Sequence, residues 1–229
     1  MAFAIIAAGG RGSRLGAEVP KFELELGGKP LLAYSLEAFQ AAPSIETIVL
    51  VVPPDRLQTW ASSRLRELGV SKPVVTVAGG ATRRRSVGLG LQALAAESGV
   101  VLVHDAARPL VTGDLVENAC HVPEGADGVV TAIAVTDTVK EVDSAVVTAT
   151  LDRERLAAVQ TPQGFRIEAL RDAHAAAERD GFEGTDDASL VERLGGRVLV
   201  IEGSRDNFKV TYGEDLVRAR AVLLERSGG

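Results

Sequence analysis

Residues 3–16 read FAIIAAGGRGSRLG, an apolar run that stops abruptly at glycines and arginines. The run Phe3 to Ala8 is near-continuous rather than alternating, which is the pattern of a strand covered on both faces. Thr47 to Val52, Val74 to Val77, Val100 to Val103, Val129 to Val135 and Val198 to Ile201 repeat it. Between these runs lie segments with helical spacing: Leu31 to Gln40, Asp55 to Leu68, Thr82 to Glu97, Gly113 to Cys120, Ile167 to Asp180, Asp187 to Leu194 and Asp215 to Glu225. Alternating βα units predict an α/β fold, a mostly parallel twisted sheet flanked by helices on both sides.

One stretch breaks the rhythm. Residues 134–158 are rich in Thr and Val, show no helical stripe and carry a turn at Val142 to Ala145, so they are read as an inserted β-hairpin. A lone two-stranded ribbon is marginal in water. Packing against a second copy of the chain is expected to supply the missing surface. The rest of the 229 residues, 46% of them hydrophobic, is expected to form a single domain, 1–229, around one sizeable core.

The bulk chemistry narrows the function. A net charge of −6 argues against general nucleic-acid binding, which needs a basic stripe. The single cysteine, Cys120, rules out an internal disulfide framework, and His104, His121 and His174 have no zinc-ligand spacing. No apolar segment approaches a bilayer span, and the N-terminus lacks the features of a signal peptide. A reducing compartment, the cytoplasm, is therefore expected, with no membrane contact.

In open α/β sheets ligands collect beyond the carboxyl ends of the strands. After the first run come Gly9, Gly10, Arg11, Gly12, Ser13 and Arg14, then Pro20-Lys21. This spacing matches neither the dinucleotide fingerprint nor the GK[ST] phosphate loop. Two readings remain: a strand-to-helix turn with solvated arginines, or a backbone cradle for a polyphosphate charged by Arg14, with Lys21 meeting the same anion.

Gly79-Gly80-Ala81-Thr82-Arg83-Arg84-Arg85-Ser86 offers glycine backbone, a capping Thr82 and a hydroxyl one turn into the helix. It reads either as a base-recognition loop or as a capped helix with a basic, solvated first turn. Gly88 to Ala93 formally fits G-x-G-x-x-A, but no strand immediately precedes it.

Asp105, where the Val100 run ends, can hold Mg²⁺ or a ribose hydroxyl, or it can simply cap a helix. Arg108 can position that loop by charge-assisted hydrogen bonds, or lie on the surface. His104 alternates with Asp105 along the strand and so should point into the interior. Thr185 reads as an N-cap, and Lys209 as a phosphate-facing or a solvated lysine.

Taken in order, the AAG loop with Arg14 and Pro20-Lys21, GGATRRRSV, VHDAARP, Asp137-Thr138, Asp152-Arg153, TPQ, TDDAS and NFKVT resemble the 2-C-methyl-D-erythritol 4-phosphate cytidylyltransferase family. The glycine loop departs from the family's AAG-x-G-x-R-[ML] by one extra residue between Ala7 and Leu15. The resemblance implies a Rossmann-like domain that binds CTP and Mg²⁺, with the β-arm embracing a partner in a homodimer.

By position, the resemblance puts Ala7, Ala8, Gly9 and Lys21 at the nucleotide and makes Arg14, Lys21 and Lys209 the catalytic set. Gly80, Ala81 and Ser86 read cytosine. Ala81 stands where some members carry an acidic residue, so its contact is expected from backbone. Asp105 faces the ribose or the metal, while Thr138 and Arg153 come from the neighbouring arm to join Lys209 on the methylerythritol phosphate. Arg108, Thr161 and Thr185 sit in matching motifs and complete the substrate-binding set with Asp105.

The implied reaction is an in-line attack of a phosphomonoester on the α-phosphorus of CTP. The attacking phosphate is already largely dianionic at neutral pH, so no general base is required. The work is electrostatic: holding two anions together and spreading their charge. A ribitol 5-phosphate cytidylyltransferase shares the nucleotide half, although TPQGF and TDDAS lean toward methylerythritol. A non-catalytic nucleotide-binding regulator is disfavoured by the presence of both Lys21 and Asp105.

Overall fold

The computed structural model describes residues 1–9, 19–61 and 63–227. In chain order its elements begin with β1 (Ala2–Ala7), β2 (Glu25–Leu26), β3 (Lys29–Pro30), α1 (Leu31–Ala41), β4 (Ile45–Val52), α2 (Leu57–Ala61), α3 (Ser63–Glu67) and β5 (Val74–Ala78). They continue with α4 (Arg83–Ala93), β6 (Val100–Asp105), α5 (Gly113–Ala119), β7 (Gly128–Ala134), β8 (Lys140–Asp143), β9 (Val146–Thr150) and β10 (Ala157–Arg166). The chain ends in α6 (Ile167–Asp180), α7 (Ala188–Arg193), β11 (Val198–Glu202) and α8 (Gly213–Ser227). Among the described residues no helix is long and apolar enough to cross a membrane.

A seven-stranded sheet in the order β11-β7-β10-β6-β1-β4-β5 forms the centre. β1 runs parallel to β4 and β6, β4 to β5, and β7 to β11, whereas β10 is antiparallel to both β6 and β7. The period-2 geometry of a strand divides its side chains between two cores. From β1, Ala2, Ala4 and Ile6 face Leu32, Leu36 and Phe39 of α1, Trp60 of α2 and Leu115 of α5. Phe3 and Ile5 face Val87 and Leu91 of α4, Leu170 and Ala173 of α6 and Leu190 of α7. Helices on both faces are why the strand runs are nearly all apolar.

Gly90 lets α4 ride close on the sheet: a Cβ there would lie 2.8 Å from the Ile5 side chain and 3.1 Å from that of Val51. The first turn of α4 is thereby set over the ends of β1 and β5.

The sequence reading misses the short β2–β3 pair and, in the main sheet, the central strand β10. Its residues AAVQTPQGFR alternate in neither hydropathy nor charge, and Pro162 argues against a central strand. The strand nevertheless sits between two partners because most of its polar side-chain groups find partners, Gln163 Oε1 being left without one among the described residues. Gln160 bonds to Ser204 and Asn207, Thr161 to Asp105, and Gln163 to Asp186. Pro162, which has no N–H to donate, falls where pairing with β7 is interrupted between Val159 and Gln163.

The predicted helix Asp55 to Leu68 divides into a 3-10 turn (Pro54–Arg56), α2 and α3. The helix from Thr82 ends at Ala93 rather than Glu97, because Arg171 of α6 takes the carbonyls of Leu91 and Leu94 at its C-terminus. Thr185 does not cap α7. That helix starts at Ala188, and the Asp186 carboxylate accepts from the Ser189 N–H at 3.0 Å.

A hairpin forms inside the 134–158 stretch, with paired strands shorter than that range, whose ends belong to β7, a 3-10 turn (Arg153–Arg155) and β10. β8 and β9 pair through Ser144 and Ala145, whose φ values of 46° and 71° give the positive-φ turn that matches strand twist. The arm packs little of its own surface: Val142, Val146 and Val147 are 61%, 67% and 56% exposed.

Candidate active site

A cleft of about 250 Å³ opens over the carboxyl ends of β1, β5 and β6, where the strand order reverses on either side of β1. Ala7, Ala8, Gly9, Lys21, Gly80, Ala81, Ser86, Asp105 and Lys209 line it, all of them singled out in the sequence. Phe22, Thr82, Arg83, Ala106 and Ala107 complete the wall.

Asp105 is the last residue of β6 and lies level with Ala7 of β1. Its N–H donates to Thr161 Oγ1 at 3.0 Å. Its Oδ1 accepts from Arg83 Nε at 3.0 Å and its Oδ2 from Lys209 Nζ at 2.6 Å. Burial alone would raise the Asp105 pKa, but the charges of Arg83 and Lys209 outweigh it and hold the carboxyl well below the usual range. The carboxylate is therefore ionised and already committed to two cations, which suits it to hold groups in place and not to take a proton.

His104 points the other way, as strand alternation requires. It is fully buried, 3.3 Å from Ser35 Oγ and 3.1 Å from Thr161 Oγ1. Burial pushes its pKa down to about 3, so the ring is neutral and structural.

Lys209 reaches the cleft because the segment carrying it is pinned from below. Asn207 is fully buried, and its Nδ2 donates to Gln160 Oε1 (3.2 Å) and to the Thr161 carbonyl (2.9 Å). Arg108 Nη1 takes the Asn207 carbonyl at 2.7 Å, and the Val210 N–H bonds to Ala107 O at 2.8 Å. On the facing wall, the 3-10 turn Lys21–Glu23 is anchored by buried Phe22 edge-on to Trp60, with ring centroids 5.6 Å apart. Lys21 Nζ donates to the Val210 carbonyl at 2.7 Å. The N-terminal and C-terminal segments thus place two ammonium groups in one cleft.

The third wall is the start of α4. Thr82 caps it, accepting from the Arg85 N–H at 3.2 Å. Ser86 Oγ donates to Thr82 O (2.9 Å) and accepts from the Gly80 N–H (3.1 Å), so the hydroxyl braces the Gly79–Ala81 loop. A Cβ at Gly80 would lie 2.6 Å from Arg85 Cβ, so this tight approach needs glycine. The first turn is not a solvated basic patch. Arg83 enters the cleft, Arg84 is 9% exposed and pairs with Glu178 and Glu183, and only Arg85 lies outside.

Several expected residues are not brought to the cleft. Thr161 is 5% exposed, and its hydroxyl serves the Asp105 backbone and His104 instead of facing a ligand. The Arg108 guanidinium ties the loop after β6 to Asn207. Thr185 is exposed and off the lining. Thr138 and Arg153 are exposed on the arm, where Arg153 Nη1 donates to Thr136 O at 2.9 Å, outside this chain's own cleft. Arg14, with its neighbours in the glycine loop, lies outside the described residues.

Arg83 is the functional candidate that sequence reasoning missed. Three consecutive arginines give no sign of which one turns inward. The partner that draws Arg83 in, Asp187, is 104 residues away.

A family model described as 2-C-methyl-D-erythritol 4-phosphate cytidylyltransferase matches residues 2–225. The protein of that name from Geobacter metallireducens is 43% identical over 227 residues, covering 98% of each chain. The one from Streptomyces coelicolor is 46% identical over 232 residues, 97% of this chain and 85% of the other. Among solved structures, 4-diphosphocytidyl-2C-methyl-D-erythritol synthase from Anaerococcus prevotii superposes with a TM-score of 0.85 at 30% identity, covering 98% of both chains. The 2-C-methyl-D-erythritol 4-phosphate cytidylyltransferase from Thermus thermophilus gives 0.77 at 34% identity, covering 96% of this chain and 98% of the other.

Proposed function

The chain belongs to the 2-C-methyl-D-erythritol 4-phosphate cytidylyltransferase family, and from that premise we propose that its cleft transfers CMP from CTP to 2-C-methyl-D-erythritol 4-phosphate, releasing pyrophosphate. The enzyme is a nucleotidyltransferase of non-mevalonate isoprenoid precursor synthesis. The observation that carries the assignment of the cleft is that Lys21, Lys209, Arg83 and the carboxylate of Asp105 line one cleft, beside the backbone of Gly9 and Gly80. Three cationic side chains and one carboxylate among the described lining residues, Arg83 being shared with Asp187, suit a site that gathers phosphates and has no need of a base.

In this reading Lys21, with Arg14 from the glycine loop, holds the triphosphate and stabilises charge at the α-phosphorus. Ala7, Ala8 and Gly9 let the nucleotide approach the end of β1. The backbone of Gly80 and Ala81, braced by Ser86, reads the edge of cytosine. Lys209 grips the alcohol phosphate, and Asp105 fixes its direction while facing the ribose.

Mg²⁺ fits the donor set. Among the described residues the cleft wall offers one carboxylate, Asp105, whose oxygens already accept from Arg83 and Lys209, so Mg²⁺ would be held chiefly by the substrate phosphates with Asp105 beside them. When bound, the ion supplies charge neutralisation on the phosphates. Among the described residues no group of three metal-ligating side chains offers an all-protein cage.

The test is pyrophosphate release on mixing the enzyme with CTP and each alcohol phosphate. Release is expected with methylerythritol phosphate and only weakly with ribitol 5-phosphate. Binding of CTP without release from either would overturn the assignment in favour of a regulator.

The arm, 134–158, is the basis for a homodimer. Its exposed valines need a partner, and Thr138 and Arg153 would enter the neighbouring subunit's cleft to meet the alcohol phosphate. Sedimentation should give a dimer, and a fully active monomer would remove both residues from the site. The cytoplasm, read from the single Cys120, is the proposed compartment.

A further inference from the structure

Arg83 connects the cleft to the interior. It gives Nε to Asp105 Oδ1 at 3.0 Å and Nη1 to Asp187 Oδ2 at 2.6 Å. The other oxygen of Asp187 lies 3.0 Å from His174 Nε2, on α6. The side chains of Asp187 and His174 are only 1% and 7% exposed. Among the described residues His174 Nδ1 has no hydrogen-bond partner, so the ring is held through Nε2, which is aimed at Asp187.

Asp187 needs Arg83 where it is. Burial would raise the Asp187 pKa, yet the Arg83 charge and the hydrogen bond from His174 prevail and hold the carboxyl below its ordinary range. A buried carboxylate stripped of its cation is strongly unfavourable, so the guanidinium is aimed from behind. With its far edge fixed on Asp187, the planar fork presents Nε to one oxygen of Asp105. That leaves only Oδ2 for Lys209 and prevents the carboxylate from turning both oxygens onto the ammonium.

We propose that Arg83, aimed by Asp187 and His174, is a positioning residue for cytidylyl transfer: it locks the Asp105 carboxylate and so sets the direction in which Lys209 meets the alcohol phosphate. The proposal rests on the reading of the cleft as the site of that reaction. Wild-type pyrophosphate release is therefore the reference. Failure of the cleft assignment would show in the wild type, and failure of the positioning role only in the variants.

Arg83→Lys keeps the charge but loses the fork that spans both carboxylates. It is expected to lower kcat/KM for methylerythritol phosphate by on the order of 10- to 100-fold, the scale of an ångström-sized misplacement, with a much smaller rise in Kd for CTP and a lowered Tm from the weakened pairing of Asp187. Asp187→Asn should show the same split, and the double variant should be no worse than Arg83→Lys alone, since both break one chain. Wild-type kcat/KM in Arg83→Lys, or losses that multiply in the double variant, would overturn the proposal. Should Asp187→Asn fail to fold, Arg83→Lys decides alone, because its side chain is 30% exposed on the cleft wall.

Discussion

Lys21→Ala should slow pyrophosphate release by about 10²- to 10³-fold, the effect of removing one pre-aimed donor from a charge-developing centre. Lys21 is pre-aimed by its surroundings. Pro20 enters the turn at φ −55°, Phe22 is buried against Trp60, and Nζ already donates to the Val210 carbonyl at 2.7 Å. An ammonium carries three donors, so the bond to Val210 does not by itself occupy it. The loss is expected mainly in kcat, with a smaller rise in KM for CTP from the lost triphosphate contact, because the interaction strengthens as charge builds at the α-phosphorus. The bond to Val210 contributes on the order of 1 kcal/mol, so its loss alone should lower Tm only a little. Steady-state kinetics beside a melting curve separate the two effects. A variant with near-normal kcat would remove Lys21 from the catalytic set.

How much of this was readable from residues alone follows from what each element hides. Strands β1, β4, β6 and β7 bury both faces in apolar cores and therefore read as apolar runs. β10 hides because its middle, Gln160 to Gln163, is buried and largely polar, with bonds to Ser204, Asn207, Asp105 and Asp186 that no local pattern encodes. The cleft residues that end strands, Ala7 to Gly9 and Asp105, could be found because ligands gather there. Thr161 could not be given its true place for the same reason that β10 was missed: without the strand, nothing says that its hydroxyl lies under Asp105. Arg83 was hidden differently. A run of three arginines reads as solvated charge until the buried Asp187 is known to lie within reach.

Asp105→Asn is the substitution expected to cost both stability and turnover. The wild-type carboxylate is 13% exposed and holds Arg83 and Lys209 at once. Removing its charge leaves two cations facing an amide. Stranding the partners of a buried pair costs on the order of 3 kcal/mol, with the lower end expected here because Lys209 is partly solvated and Arg83 keeps Asp187. The sign of the pH dependence follows from the depressed pKa. An unfolded Asp takes up its proton near pH ~4, whereas the folded Asp105, under Arg83 and Lys209, resists protonation to lower pH. Below about pH 4 the unfolded chain therefore binds more protons than the native one. The stability that the carboxylate supplies is thus fully present above that value and lost as pH falls through the folded pKa. Denaturant titrations at neutral pH and in acid should show the gap between wild type and Asp105→Asn narrowing as pH falls. Asp187 is present in both proteins and largely cancels. A gap that stays constant across that range would mean that Asp105 contributes through shape and hydrogen bonding, and that its charge does not hold the two cations of the cleft together.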